Sequence, residues 1–111
     1  MTTPFEELAN LNKLIHEPAR LAVLTALSAC ASADFLFLRR ITGLSDGNLS
    51  GHLSKLEEAG LVQIEKQFLE KKPNTQIQIT AKGLSAIQLH WEQLDKLKKN
   101  TEDWKKSQAE D

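Results

Sequence analysis

The chain has 111 residues, 41% hydrophobic and 26% charged, which is enough for one domain with one modest core. Its single cysteine excludes an intrachain disulfide, and no apolar run approaches the roughly 20 residues of a membrane-spanning helix. Without a signal-peptide pattern we expect one cytoplasmic domain over residues 1–111, and the net charge of −1 argues against a strongly basic surface.

Two helices are predicted in the N-terminal third of the chain. Residues 4–14 form the first, because apolar side chains that include Phe5 and Leu8 recur at helical spacing behind a proline at its first position. Pro18 begins the second helix, whose alanine and leucine content favours a helix with one buried face.

A third helix is predicted over residues 35–42, with Asp34 as its cap. Gly43 can end it in the left-handed conformation that glycine adopts most easily. Leu36 and Phe37 adjoin its apolar stripe, and we expect them to broaden the contact with the core. The alternative is that they form an exposed binding patch.

A fourth helix is predicted over about residues 45–59, with Ser45 as its cap. Leu49, Leu53 and Leu56 fall on one face of this helix, at spacings of four and three. A short helix, a glycine turn and a second helix with small polar residues at its start are typical of a helix-turn-helix that reads DNA.

A hairpin and a long helix complete the predicted fold. Alternating apolar residues predict a two-stranded wing over about residues 61–80, and Pro73-Asn74 marks its turn beside two lysines. From about residue 81 to 104 the apolar residues follow a heptad-like seam, which predicts a helix roughly 35 Å long. The predicted fold class is mainly α with a two-stranded β-wing, a winged helix-turn-helix with a long C-terminal dimerisation helix.

Three stretches together resemble a known family. They are HEPARLAVLTAL, FLFLRRITGLSDGNLSGHLSKLEEAGLVQIEK and QIQITAKGLSAI, and the resemblance covers about residues 14–90. The chain resembles the small winged helix-turn-helix transcriptional regulators, relatives of the MarR and ArsR types, and within them the single-domain bacterial and archaeal proteins.

The resemblance implies a homodimer on double-stranded DNA. The recognition helix, residues 45–59, would lie in the major groove, and the wing along the minor groove or the backbone. Many relatives carry Arg, Lys or His where this chain has Gly51, which offers no side chain to a base. A glycine also costs a helix interior about 0.5–1 kcal/mol relative to alanine.

The candidates for DNA contact lie on the outward face of the recognition helix, on the wing and on the preceding helix. Asn48 is the best candidate to read a base, because its amide can pair bidentately with adenine. Lys55 suits a phosphate, which positions the protein without specifying sequence. The full predicted set is Arg39, Arg40, Ser45, Gly47, Asn48, Ser50, Gly51, His52, Lys55, Lys66, Lys71, Lys72, Asn74 and Thr75.

Several of these residues also have a purely structural interpretation. Ser45 can serve only as a helix cap, and His52 lies near the buried edge, where it can be a packed flank residue. The charged wing tip can be an ordinary solvated turn. One of Arg39 and Arg40 is expected to contact phosphate and the other to face solvent.

The long C-terminal helix and the first helix supply a predicted dimer interface, since a domain this small cannot cover such a stripe alone. The predicted interface residues are Phe5, Leu8, Leu84, Ile87, Trp91, Leu94 and Trp104. Trp91 could instead pack within its own domain, whereas an intramolecular partner is hard to find for Trp104. Two-fold symmetry predicts a pseudopalindromic operator with half-sites roughly 10 base pairs apart.

Two rival functions have weak support. Ser50 and His52 diverge on one helix and no catalytic motif appears, so no enzyme is predicted. His16, His52 and His90 are scattered and Cys30 stands alone, so we expect no metal and no cofactor, and the alternative is a metal site shared between subunits.

We predict a DNA-binding transcriptional regulator, preferentially a repressor, that works without a membrane partner. A pocket between the long helix and the core could take an unidentified small-molecule effector. The alternative is a winged-helix module that binds protein without specific DNA binding, which the near-neutral charge and Gly51 keep open.

Overall fold

The computed structural model describes residues 2–109, and their side chains as far as residue 104. Its elements are α1 (Pro4–Ala9), α2 (Pro18–Cys30), β1 (Ser32–Asp34), α3 (Phe35–Thr42), α4 (Asp46–Glu58), β2 (Val62–Leu69), β3 (Lys72–Ile79) and α5 (Ala81–Ala109). The predicted winged helix-turn-helix fold with its long C-terminal helix is confirmed, except that the sheet has three strands. No helix in the described part of the chain is long and apolar enough to cross a membrane.

The core lies between α2, α3, α4, the base of the β2–β3 hairpin and the first half of α5. Leu49, Leu53 and Leu56 of α4 are buried in it, as the helical spacing predicts. Each leucine that leaves water contributes roughly 1.5–3 kcal/mol. The opposite face of α4 is therefore exposed to solvent.

Helix α1 is shorter than the predicted 4–14, because two asparagines compete for its backbone. The Asn10 side chain donates to the Glu6 carbonyl at 2.8 Å, and the Asn12 side chain accepts from the Leu14 amide at 3.0 Å. Such local bonds offer the chain an alternative to the helix. The segment after Ala9 still packs inward, since Leu11 is buried.

The wing, which we define as β2, β3 and their turn, reverses direction earlier than predicted. Glu70 and Lys71 form a two-residue turn with φ of 52° and 68°, and Pro73 lies within β3, opposite Phe68. Two left-handed residues match the twist of a hairpin. The pair that flanks such a turn exchanges the hydrogen bonds, so the next pair tolerates a proline.

Strand β1 was not predicted, because three residues are too few to show an alternation. It pairs antiparallel with β3, with Ala33 opposite Ile77, and makes the sheet order β1-β3-β2. The Ile79 amide also donates to the Ala31 carbonyl at 2.9 Å. At the base of the wing, β3 is therefore paired on both edges, with β1 and with β2.

The expectation that Leu36 broadens the core contact is wrong. Leu36 is 61% exposed, while Phe37 is half-buried and packs against the core. Leu36 is two residues from the buried Leu38, which places it about 200° around the helix. The exposed side of α3 is therefore partly apolar.

The start of helix α5 is hydrogen-bonded to the backbone of the turn that follows α4. The Thr80 hydroxyl accepts from the Gly83 amide at 2.9 Å and donates to the Gly60 carbonyl at 2.7 Å. The Thr80 amide donates to the Leu61 carbonyl at 3.0 Å. The helix extends to Ala109, beyond the predicted end at residue 104.

Candidate nucleic-acid interface and dimer surface

The turn between α3 and α4 has the geometry that the sequence predicts. Gly43 has a φ of 72°, and its amide donates the last hydrogen bond of α3 to the Arg39 carbonyl at 3.0 Å. The Ser45 hydroxyl then accepts from the Asn48 amide at 3.2 Å, so Ser45 is the cap of α4. These bonds fix the start of α4, where a recognition helix meets base edges.

The outward face of α4 carries two glycines, four residues apart. A Cβ at Gly47 or at Gly51 would meet nothing within 4 Å. Packing inside the domain therefore gives no reason for either glycine, although each lowers helix stability. Asn48, Ser50 and Lys55 surround this bare strip and are exposed.

A groove of about 360 Å³ separates α4 from the wing. It brings together three of the predicted residues, Ser50, Lys66 and Thr75. Glu57 also lines it, and its carboxylate accepts from the Ile64 amide at 3.1 Å. Glu57 is a residue that sequence reasoning missed, and it ties the end of α4 to the first wing strand.

The two faces of the wing differ in chemistry. Because side chains alternate along a strand and Lys66 pairs with Thr75, the inner face toward α4 carries Lys66, Phe68, Pro73 and Thr75. The outer face carries Asn74, whose side-chain oxygen accepts from the side-chain amide of Gln76 at 2.9 Å. Asn74 and Lys72 therefore lie away from α4, although both were predicted as DNA contacts together with the inner-face residues.

The two arginines of α3 already have partners within the domain. Arg39 pairs with Asp46 at 2.8 Å, and the Arg40 guanidinium lies 5.9 Å from the centre of the Phe37 ring. An exposed pair of this kind contributes only about 0.2–1 kcal/mol, so a phosphate could replace Asp46 as the partner of Arg39. Fewer positive side chains near α4 are therefore free to bind phosphate than the sequence indicates.

A buried arginine lies directly behind α4, and sequence reasoning did not find it. Arg20 is 8% exposed and donates to the carbonyls of Leu14 and Lys13 and to Nδ1 of His52 at 3.1 Å. A guanidinium only donates, so Nδ1 of His52 accepts and the neutral ring carries its proton on Nε2. The one available signal was an arginine inside an otherwise alanine- and leucine-rich helix.

Glu17 completes this network at the start of α2. Its carboxylate accepts from the Arg20 amide at 2.9 Å and lies 3.6 Å from His52. Burial by itself raises the pKa of Glu17, but hydrogen bonds from the Arg20 and Ala19 backbone amides and the charge of Arg20 lower it by more, so the net pKa falls below its usual value. His52 is thus held between α4 and α2, as expected for a packed flank residue.

We expect Arg20→Met to lower the free energy of unfolding by about 2 kcal/mol, because it leaves the Leu14 and Lys13 carbonyls without a donor. Urea denaturation at neutral pH measures this. Arg40→Met is the matched control, since Arg40 is exposed and should cost less than about 0.5 kcal/mol. Equal stability of the two variants would refute the structural role of Arg20.

A histidine pair joins the segment after α1 to α5. Nδ1 of His16 lies 2.9 Å from Nε2 of His90, which is 3% exposed. Burial, and then the charge of His16, lower the pKa of His90 below 6.5. One ring must therefore be neutral to accept the hydrogen bond.

We expect the protein to lose stability as the pH falls below about 6.5, the value for an unfolded histidine. The unfolded chain takes up the proton first, so protons favour unfolding until the pH passes the lower pKa of folded His90. Thermal melts across this range measure the effect. His90→Asn should flatten the profile there, and an unchanged slope in that variant would contradict the assignment.

The predicted dimer residues divide into exposed and buried groups. Phe5, Leu8, Trp91 and Trp104 are exposed, whereas Ile87 is 1% exposed within the core of its own domain. The prediction of Ile87 as an interface residue is therefore wrong, because it faces the core and not the free side of α5. Leu84 and Leu94 are half-buried.

Both tryptophans have intramolecular partners as well as exposed surface. The Trp91 indole donates to the Thr25 hydroxyl at 3.0 Å. Trp104 packs edge-on against Phe5, with ring centres 5.0 Å apart, so the expectation that it lacks a partner in its own chain is wrong. This edge-on contact joins the C-terminal half of α5 to α1.

Comparison with known proteins gives a family match over most of the chain. Residues 19–98 match the winged helix DNA-binding domain family. The chain is also 34% identical over 90 residues to an uncharacterized protein of Methanocaldococcus jannaschii, a match that covers 81% of this chain and 98% of that protein. The matched range includes α3, α4 and the wing.

Solved structures share the fold. A transcriptional regulator homologue from Pyrococcus horikoshii OT3 has a TM-score of 0.80 at 24% identity, covering 88% of this chain and 96% of that one. NadR, solved with 4-hydroxyphenylacetate, has a TM-score of 0.64 at 23% identity, covering 90% and 67%. A MarR-family regulator from Silicibacter pomeroyi has a TM-score of 0.63 at 18% identity, covering 88% and 63%. The winged-helix part of the resemblance is confirmed by the family match, and these solved structures show the same fold.

Proposed function

The chain belongs to the winged helix DNA-binding domain family, and we propose that it is a homodimeric repressor that binds a pseudopalindromic operator through α4 and the wing. The observation that carries the proposal is the groove in which Ser50, Lys66 and Thr75 meet beside the bare outer face of α4. Members of such a family act as DNA-binding regulators and not as enzymes.

The proposed contacts follow from the exposure of each side chain. Asn48 reads a base, because it is exposed in the first turns of α4 and its own cap bond uses only its backbone amide. Ser50, Lys55 and Lys66 bind phosphates on either side of the groove. The missing side chain at Gly51 lets α4 lie deeper in the major groove than a larger residue would.

The wing and α3 supply the remaining proposed contacts. Lys71 in the turn and Lys72 beside it reach the backbone, and Arg39 contacts phosphate when it leaves Asp46. Asn74 is the weakest of the predicted contacts, because its side chain already bonds Gln76 on the outer face.

The dimer is proposed to form through the aromatic surface of α1 and α5. Phe5, Leu8, Trp91 and Trp104 are exposed large side chains, and aromatic residues dominate the energy of interfaces. Sedimentation at micromolar concentration tests the dimer. A species with the mass of one chain would overturn it, and Trp104→Ala should shift the equilibrium toward that species.

We expect a shallow dependence of DNA binding on salt. Affinity falls by about 0.9 log unit per neutralised phosphate for each log unit of salt. Because Arg39 is paired and the wing holds few lysines, the slope should be well below that of strongly basic regulators. Titration of salt against a bound DNA fragment measures it, and a slope near −10 would reveal a large basic surface that the structure does not suggest.

The remaining proposals concern an effector and the cellular location. NadR was solved with 4-hydroxyphenylacetate, which supports a small-molecule effector here, although the residues of this chain do not identify one. A regulator of this kind would act in the cytoplasm. Thermal shift in the presence of aromatic carboxylic acids tests for an effector of the same class.

A winged-helix module that binds protein is the alternative. The exposed Leu36 and the half-buried Phe37 on α3 favour it, since they line a groove of mixed polar and apolar character together with Arg39 and Arg40. A gel shift against the promoter of its own operon separates the two functions. If the protein retards the promoter fragment and competitor DNA of random sequence does not reverse this, the repressor is supported. If the fragment is not retarded at any salt concentration, the protein-binding module is supported.

A further inference from the structure

The tip of the wing carries apolar side chains that the domain does not cover. Phe68 is 75% exposed and Leu69 is 51% exposed. Pro73, which pairs with Phe68 across the hairpin, is exposed as well. Leu69 pairs with Lys72 and points to the outer face, so Phe68 and Pro73 together form the apolar patch of the inner face, which an external partner can bury.

Phe68 lies on the inner face of the wing. The pairs Lys66–Thr75 and Phe68–Pro73 are two positions apart, so their side chains lie on the same face. Lys66 and Thr75 line the groove beside Ser50 of α4. A DNA backbone whose phosphate binds at this groove therefore has Phe68 beside it, two positions nearer the turn of the wing.

The hairpin holds this tip in a narrow and defined position. The strands stay paired up to Leu69 and Lys72, and only Glu70 and Lys71 form the turn, both with positive φ. The minor groove of B-DNA is about 6 Å wide, which admits a single aromatic side chain near the end of the hairpin. The two paired strands are about 5 Å apart between their backbones alone, so with their side chains they are too wide to enter and stay outside.

The charges around the tip favour DNA over an apolar protein surface. The wing carries three lysines, Lys66, Lys71 and Lys72, against two acids, Glu65 and Glu70. Glu65 lies on the outer face, away from the groove, and so does Lys72, which leaves Lys66 on the groove side and Lys71 beside Glu70 in the turn. The lysines can bind the phosphates that border the minor groove while the apolar tip lies between them.

From this geometry, and resting on the proposed function, we infer that Phe68 is an apolar wedge that enters the minor groove beside each half-site and partly unstacks one base step. Apolar wedges of this kind kink the duplex. Pyrimidine–purine steps unstack most easily, so Phe68 adds a sequence preference at a position that α4 does not contact.

Fluorescence of 2-aminopurine tests the wedge, because it rises when the base loses its stacking. The analogue replaces adenine in the flank of a duplex that the wild-type chain binds. We expect a rise with the wild type and with Phe68→Leu, and none with Phe68→Ala, whose affinity should fall about tenfold. Leu36→Ala is the matched control, since Leu36 is also apolar and mostly exposed but lies on α3.

Phe68→Lys separates a wedge from a purely electrostatic tip. A wedge predicts that the lysine abolishes the fluorescence rise, whereas a tip that only follows phosphates would bind more tightly and with a steeper salt dependence. The latter result overturns the inference, as does Phe68→Ala with wild-type affinity and fluorescence.

Failure of the wedge and failure of the proposed function give different results. If the wild-type chain binds no DNA, the proposed function fails and the wedge fails with it. If the wild type binds and Phe68→Ala binds equally well, only the wedge is refuted. A Phe68→Ala variant that sediments as a smaller species without DNA would assign the tip to contact between copies, and that too overturns the inference.

Discussion

Gly83→Ala is expected to lower the free energy of unfolding by about 3 kcal/mol or more. A Cβ at this position would lie 2.9 Å from the carbonyl carbon of Leu61 and closer still to its oxygen. The Leu61 carbonyl also accepts from the Thr80 amide, so backbone would have to shift at the point where α5 joins the wing. A loss of this size is a large share of the net stability of a small domain, which is typically about 5–15 kcal/mol.

Chemical denaturation of the purified variant measures this loss, and Gly51→Ala is its matched control. The same methyl group at Gly51 meets nothing within 4 Å, so the helix propensity of alanine should raise stability by about 0.5–1 kcal/mol. Propensity alone predicts a gain at both positions. Equal effects of the two substitutions would show that α5 does not lie against Leu61 as described.

Ser50→Glu is expected to lower affinity for DNA by about 100-fold or more. Ser50 is exposed on α4 and lines the groove with Lys66, so a carboxylate there would face the phosphates that the groove is proposed to bind. Like charges brought together in an interface cost several kcal/mol. Glutamate is also a good helix former, so the fold should be unaffected.

Fluorescence anisotropy with a labelled duplex measures the loss, and Ser85→Glu is the matched control. Ser85 is exposed on α5, outside the groove, and the same substitution adds the same charge to the whole protein. Its affinity should stay within about threefold of the wild type, because exposed charges beyond the Debye length of roughly 8–10 Å are screened. Equal losses in both variants would indicate a general effect of net charge and would remove the groove from the interface.

Much of the fold could be predicted because its signals are local. Gly43 and Ser45 define the turn before α4 through their own backbone chemistry, and the leucine spacing of α4 fixes its buried face. The two-residue turn at Glu70-Lys71 could not be predicted, because glycine or asparagine normally occupies left-handed positions and neither residue is one of them.

The site was less predictable than the fold, because its geometry depends on residues that are distant in the sequence. Helical spacing gives the outward direction of Asn48 and Ser50, but it cannot show that Lys66 meets Ser50 across a groove. The pairing of Arg20 with His52 spans 32 residues and has no local pattern. Trp104 shows the same limit, since its contact with Phe5 joins the two ends of the chain.

Selection of bound DNA from a random pool at fixed salt tests the central claim most directly. If α4 and the wing of a dimer bind an operator, the pool should converge on an inverted repeat with half-sites roughly 10 base pairs apart. Ser50→Glu, carried through the same rounds, should enrich no sequence. A wild-type pool that stays random even at low salt would contradict the proposal that this chain is a sequence-specific repressor.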